Sequence, residues 1–404
     1  MVTLEEKKIE NSKIYATLLL LLLLGLISFS PAIALLSNTV LIKSQGTIST
    51  TQITAKSGFP EDIQAAVNTV AAAGGGTVYV PEGKWTFNPS SWPGVTIPNG
   101  VNVIGAGIGK SVLYLPNYPQ GGLANKPFPN RPFFYCTGNS ETDKKVRISG
   151  ITFQGHIEDE EEVLCGVEVF GIDNFRIDHC EFIDFDQTSI FPRSCRGVID
   201  HCTIDNPYKD KIAGADQAYG IIVLGDYTVW YSLDQLLGKY TLNTVYIEDC
   251  SFSRCRHSIA SNDAGWYVVR HCVFTEPRPK NFGIIDVHGT DYGGRGLEAY
   301  DNLIIGAEGY EASEAFWIRG GSGVIFNNTM KNIRYGIGLY KEAANPQYWV
   351  KDLYIWGNSM DGGTLINNAD DYRENVDYFL RTPNQQQDSF VYTPYPYPHP
   401  LTLG

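Results

Sequence analysis

Histidine, arginine and carboxylate side chains recur at one spacing in this chain. His257, His288 and Arg319 follow one another at intervals of 31 residues, and Asp286 stands two residues before His288. On an extended strand that offset puts Asp286 and His288 on one face. Arg295 and Glu298 follow in the next turn and strand. A histidine so placed can remove a proton, and an arginine can hold the negative charge that develops. Two carboxyl groups could instead work as an acid–base or acid–nucleophile pair, with Asp286 and either Glu298 or Glu314 as the pair. A second, looser grouping is Asp184-Phe-Asp186-Gln187 with Arg193 and Arg196. A purely structural polar ladder would use the same residue types, so the elements that carry them matter.

Those elements repeat. Phe175-Arg-Ile-Asp-His-Cys-Glu-Phe, Gly197-Val-Ile-Asp-His-Cys-Thr-Ile, Val245-Tyr-Ile-Glu-Asp-Cys-Ser-Phe and Tyr267-Val-Val-Arg-His-Cys-Val-Phe are variants of one phrase. Val146-Arg-Ile-Ser-Gly-Ile-Thr-Phe precedes them, and three asparagine-bearing versions follow. The marker runs through Gly150, Cys180, Cys202, Cys250, Cys272, Asn302, Asn328 and Asn358, mostly 22 to 30 residues apart. That period is the size of one coil in a parallel β-helix. The 48 residues from Cys202 to Cys250 read as two coils, with residues 216–229 supplying the missing strand. At the marker two short strands meet at a bend, and the marker side chain points inward. Stacked asparagines can hydrogen-bond along the axis, and stacked cysteines are small and apolar enough to be buried. Cys180, Cys202, Cys250, Cys272, Asn302, Asn328 and Asn358 therefore form a structural ladder. The adjoining histidines then point outward, so no Cys/His metal cage is expected. A disulfide among Cys136, Cys165, Cys195 and Cys255 stays open.

The coils need a closed end. Ile63, Ala66, Val67 and Val70 fall on one side of a helix that Gly74 to Gly76 stops, and Thr77 to Val80 reads as the strand after it. Such a helix covers the core and strand edges that a first coil would otherwise expose. The fold class is thus all-β, a right-handed single-stranded parallel β-helix over residues 58–368 with an N-terminal capping helix. Residues 369–404, rich in proline and tyrosine, read as an extended tail packed along the solenoid.

Both the opening block Phe59 to Gly83 and the run Val101-Asn-Val-Ile-Gly-Ala-Gly-Ile-Gly-Lys-Ser-Val-Leu, together with the coils after them, resemble the pectate-lyase-like superfamily of β-helix proteins. The resemblance covers nearly the whole chain after the leader. It implies the fold, and it implies polysaccharide as partner. The superfamily also includes hydrolases, esterases, tailspikes and adhesins, so activity must come from the site. Asp286-Val-His-Gly289 shares only its His-Gly pair with polygalacturonase-type enzymes, and Arg278-Pro-Lys280 is a fragment of the classical lyase motif. The favoured expectation is a lyase on a uronate-containing glycan. In it His288 or His257 takes the proton α to the carboxylate, and Arg319 neutralises that carboxylate with help from Arg295 or calcium. Tyr340 protonates the leaving oxygen, and Arg193 adds a substrate contact. Hydrolysis by Asp286 and Glu298, and a non-catalytic surface or adhesive glycan-binding role, are the alternatives. No cofactor is assigned from the sequence, and calcium is the one left open.

The remaining features bound the setting. A formal net charge of -13 on 404 residues argues against nucleic acid, which selects basic surfaces. Residues 1–34 read as a signal peptide or N-terminal anchor, since Lys7, Lys8 and Lys13 precede an apolar run ending at Ala32-Ile33-Ala34. Residues 15–36 carry no charge and are long enough to span a bilayer. Residues 35–57 read as a linker. A secreted or cell-surface monomer, touching membrane only through its N-terminal segment, is the expectation.

Overall fold

The computed structural model describes residues 51–117, 131–138, 144–156, 164–207, 218–229, 231–275, 283–290, 292–306, 314–388 and 390–403. These belong to one unit, Thr51–Gly404. The leader or anchor (1–34, 15–36), most of the linker, the Arg278–Lys280 fragment and the start of the 216–229 segment lie outside the described residues.

Each coil lays down three short strands, and like strands of successive coils pair in parallel. The described residues form three sheets of 12, 10 and 10 strands. Sheet 1 carries the repeated phrase, as in Asp173–Asp178, Arg196–Asp200 and Thr244–Glu248. Sheet 2 holds three-residue strands such as Glu181–Ile183, and sheet 3 holds strands such as Tyr219–Leu224 and Gly283–Val287. Inward residues of all three sheets, among them Ile177, Phe182 and Ile190, share one continuous core. Helix Pro60–Ala72 adds Ile63, Ala66, Val67 and Val70 to that core.

The ladder sits at the bend from sheet 1 to sheet 2. The Cys202 and Cys250 amides face the Sγ of Cys250 and Cys272, each at 3.4 Å. The Cys272 amide donates to Asn302 Oδ1 at 3.0 Å, and Asn302 and Asn328 amides donate to the next Oδ1 at 3.2 and 3.0 Å. All eight cysteines are buried free thiols, so the disulfide left open from the sequence is not formed. The first marker is corrected by one residue. Register pairs Ser149 with Asp178 and Thr152 with Glu181, so Ile151, and not Gly150, occupies the ladder position. Gly150 takes the left-handed position before it (φ 67°), where later coils place His179, His201, Asp249 and His271. Among non-glycine residues, that conformation favours Asn, Asp and His.

Two boundaries also change. Thr51–Thr54, read as linker, is the edge strand of sheet 1, paired with Gly76–Tyr79. At the other end, Tyr378–Phe379 pairs with Leu353–Tyr354, so sheet 1 runs past residue 368. The 48 residues between Cys202 and Cys250 form one coil, not two, because Thr203 pairs directly with Ser251 and Gly197 with Val245. Tyr219–Leu224 is that coil's ordinary sheet 3 strand. The surplus leaves the wall as an excursion that includes helix Leu233–Leu236. Leu236 and Leu237 fold back onto the outer face of sheet 1, where they meet Val198, Tyr246, Val268 and Val324. Phe390, Tyr392, Tyr395 and Leu401 of the tail pack on the same face. Sheet 1 is therefore clad on its outside along this stretch, whereas sheets 2 and 3 keep polar groups outward, among them Thr203, Asp205 and Ser253 on sheet 2 and Asp286 on sheet 3.

Candidate active site

Asp286 lies mid-strand in Gly283–Val287, with Ile285 and Val287 in the core and the carboxylate on the outer face of sheet 3. The backbone register places Ala260, Asp286, Trp317, Gly338 and Asn367 in one outward row. Two residues further along the strands runs a second outward row. There the Arg319 amide bonds to Val287 O and the Tyr340 amide to Ile318 O, so His288, Arg319 and Tyr340 follow rung by rung.

The rows interlock. Asp286 Oδ2 lies 2.8 Å from His288 Nε2. Arg319 donates Nε to Oδ1 (3.0 Å) and Nη2 to Oδ2 (2.6 Å) of the same carboxylate. Arg319 Nη1 donates to Glu342 Oε1 at 2.7 Å, and the second Glu342 oxygen accepts the Gly289 amide at 2.8 Å. The guanidinium also stacks on Trp317, 4.3 Å from the ring centre. Asp286 is fully buried, which opposes its charge, but His288 and Arg319 outweigh burial and hold the carboxyl well below the usual range. It is a fixed anion and a poor proton donor.

His257 reaches the cluster by another route. Equal spacing suggested one stack with His288 and Arg319. In the structure His257 precedes Ile259, which pairs with Ile285, so it stands at the strand entry beside Gly283. The coil there advances from Ala260 to Asp286, shorter than the next advance to Trp317, because loop lengths vary between coils. Its Nδ1 donates to Gly283 O, and its Nε2 lies 4.0 Å from Asp286 Oδ2. Burial pushes His257 down to about 3, so it is neutral near pH 7. Tyr219 lies 5.2 Å from its ring and 6.3 Å from that of His288, and Arg256 donates to the Tyr219 hydroxyl at 3.1 Å.

One rung past Arg319, the Tyr340 hydroxyl donates to Glu314 Oε1 at 2.6 Å, and Asn367 Nδ2 donates to both. Burial raises the Glu314 carboxyl and, with the Glu314 bond, the Tyr340 hydroxyl. Gly338 makes this possible, since a Cβ there would run into the Glu314 carboxylate. Arg193 stands in the His288 row three rungs earlier, through Leu224 and Asn262, and pairs with Glu168 at 2.7 Å. An exposed ridge of stacked tyrosines, Tyr227 and Tyr292 (4.4 Å, 5°), follows the same strands, with Tyr348 edge-on.

Other expected residues fall elsewhere. Glu298 points outward from sheet 1, where Gly238 N and the Tyr392 hydroxyl hold it at 2.8 and 2.6 Å under the tail. It is not a partner for Asp286, because consecutive strands of one coil belong to different walls. Arg295 lies at the entry to the same sheet 1 strand, donating to Tyr231 O and Ser322 Oγ, with burial lowering it to about 10. It is directed away from His288. In the looser grouping, Asp186 accepts the Leu164 amide and Arg196 pairs with Asp173, apart from Arg193. Trp317, Glu342 and Tyr219 escaped sequence reading. Trp317 was within reach through its two-residue offset from Arg319, whereas Glu342 and Tyr219 come from other coils.

His257, Asp286 and His288 are close enough together to hold a metal ion. Arg319, however, already occupies both Asp286 oxygens. Calcium, which takes six to eight oxygen ligands, finds one carboxylate and two imidazoles here, a poor fit.

Comparison with known proteins agrees with the architecture. Residues 133–304 match the family described as right handed beta helix region. An alginate lyase from Paenibacillus sp. str. FPU-7 superposes with a TM-score of 0.53 over 81% of this chain and 99% of that one, at 17% identity. An exopolygalacturonase from Thermotoga maritima gives 0.52 over 80% and 93%, at 13% identity. At those identities the likeness is one of fold. In sequence, 56 residues are 45% identical to mannuronan C5-epimerase AlgE3 and 43% identical to AlgE4, both of Azotobacter vinelandii. Those matches take in 13% of this chain and only 3% and 10% of the two relatives' lengths. With three walls of parallel strands, an inward ladder and these likenesses together, the chain is a right-handed parallel β-helix protein.

Proposed function

We propose that the outer face of sheet 3 acts on an acidic, uronate-containing polysaccharide, removing the proton α to a carboxylate and expelling the neighbouring glycosidic oxygen. The observation that carries this reading is the Asp286–His288 contact of 2.8 Å, locked by Arg319 on the next rung. An imidazole that gives Nε2–H to a fixed carboxylate keeps its lone pair on Nδ1, as a general base requires. The His288 side chain is 21% exposed, so a substrate can reach it. Arg319 commits three of its five N–H groups to Asp286 and Glu342. It works as the positioning residue for Asp286 and as a nearby positive charge for the developing carbanion. Tyr340 stands two rungs from His288 in the same row, about 9.6 Å at 4.8 Å per rung. That leaves room for a sugar ring between base and acid, and the Tyr340 hydroxyl, which donates to Glu314 in the free protein, turns its proton to the leaving oxygen when substrate binds. The two-carboxylate hydrolase is disfavoured because Arg319 already grips both Asp286 oxygens, Glu298 is on another wall, and Glu314 is held by Tyr340 and Asn367.

The likeness to mannuronan C5-epimerases favours a second reading with the same first step. Returning a proton to the opposite face of the carbanion would invert C5 without cleavage. The deciding assay incubates the chain with polymannuronate, alginate, pectate and hyaluronan in deuterated buffer. Ultraviolet absorbance of the new C4=C5 bond scores elimination, and deuterium at C5 without cleavage scores epimerisation. His288→Gln is expected to lower either signal by roughly 10²–10⁴-fold. Glycan binding with neither product nor deuterium uptake would overturn the catalytic reading in favour of a binding role.

A further inference from the structure

A second histidine cluster lies on the bend from sheet 1 to sheet 2, on a different edge of the solenoid from sheet 3's outer face. His179 and His201 occupy equivalent left-handed positions, φ 50° and 52°, in successive coils. Their rings stack at 4.8 Å with planes 3° apart. His179 Nδ1 meets Asp178 Oδ2 at 2.9 Å, and His201 Nδ1 meets Asp200 Oδ2 at 3.0 Å. Both aspartates are fully buried and are held in turn. Arg147 and Ser149 fix Asp178, and Arg176 grips Asp200 through two bonds of 2.9 Å. The imidazoles themselves are half exposed, 56% and 51%.

The left-handed backbone alone explains why a histidine, asparagine or aspartate stands at each position. It does not explain why both rings are turned alike by a buried carboxylate. An Nδ1–H donated to a carboxylate fixes the tautomer and leaves the lone pair on Nε2, the arrangement found behind metal-ligating histidines. Here two such nitrogens stand side by side on adjacent rungs. The 4.8 Å separates the centres of two near-parallel rings, so both imidazoles must tilt toward each other before their Nε2 lone pairs meet on one ion at about 2.0–2.1 Å. The neighbouring positions explain where the site stops. On one side Gly150 offers no ligand. On the other, Tyr397 bonds Asp249 at 2.8 Å and lies tilted against the His271 ring at 3.8 Å, so the tail occupies the next two rungs.

We propose that His179 and His201 form a two-imidazole site for a borderline transition-metal dication of the Zn²⁺ or Cu²⁺ class, with water completing the coordination. Imidazole suits these ions, and Cu²⁺ should bind more tightly than Zn²⁺. The site is independent of the polysaccharide chemistry.

The test uses the full chain without an affinity tag. Cu²⁺ and Zn²⁺ are titrated calorimetrically, and Cu²⁺ is followed by electron paramagnetic resonance. One saturable ion per chain with two coordinated imidazole nitrogens is expected. In the unmodified protein, substoichiometric Cu²⁺ should broaden the NMR signals of the His179 and His201 rings first. His179→Asn and His201→Asn, which keep a side chain that tolerates positive φ, should each weaken binding at least tenfold. Their unfolding midpoints in chelator should match the parent. His288→Asn should bind as the parent does. Absence of saturable binding, full binding by the double variant, or loss of binding in His288→Asn would each overturn the assignment.

Discussion

Glu298 offers the sharpest test of how the tail is held. Its carboxylate is fully buried between the Gly238 amide and the Tyr392 hydroxyl, and burial raises it to about 7 against an ordinary 4.5. A carboxyl whose folded value exceeds its unfolded one stabilises the fold fully at low pH. That contribution is lost as pH rises from 4.5 through 7. By linkage the loss amounts to about 3 kcal/mol once both states are ionised. Glu298→Gln keeps an acceptor for Gly238 and a partner for Tyr392 while removing the ionisation. The difference in unfolding free energy between variant and parent, measured in urea at stepped pH, should therefore grow by about 3 kcal/mol in the variant's favour from pH 4.5 to 8. Taking the difference cancels other titrating groups. Among these is His399, which burial lowers to about 3 and which therefore destabilises the parent as pH falls below 6.5. Limited proteolysis should show the parent tail released more readily at pH 8 than the variant's. A pH-independent difference, or one favouring the parent at high pH, would refute the reasoning.

Asn328→Ala should cost on the order of 3 kcal/mol in urea unfolding. It strips a partner from the Asn302 amide and side chain and from the Ala299 and Phe326 carbonyls, all at buried positions. The thiols of Cys180, Cys202 and Cys250 are raised by burial, and all eight cysteines are enclosed. A thiol-reactive dye should therefore label none in the native protein over the time in which denaturant exposes eight. Tyr292→Ala should raise KM for the polysaccharide about 2- to 12-fold at constant kcat, the worth of one aromatic contact of 0.5–1.5 kcal/mol. Arg319→Lys should lower kcat and leave the fold intact, because a lysine cannot grip both Asp286 oxygens.

The repeat was legible from residue types alone because every coil solves the same local problem. A bend with an inward ladder residue must follow a left-handed residue, and only a few side chains fit either position. That is why Cys180 through Asn358 and the strands around them could be read directly, and why His179 and His201 could be placed outside. The pairing of Asp286 with His288 was equally local, a two-residue offset on one strand. Sequence distance could not count rungs, however, since a loop's length is unconstrained once its ends are paired. Hence 48 residues make a single coil, and His257 enters the cluster from the strand's mouth instead of stacking in its row. Nor could sequence say which wall faces solvent. Only the folded tail and helix Leu233–Leu236 cover sheet 1 and bury Glu298 away from Asp286, and only the fold brings Glu342 and Trp317 onto Arg319 and Tyr219 beside His257 and His288, each from a separate coil.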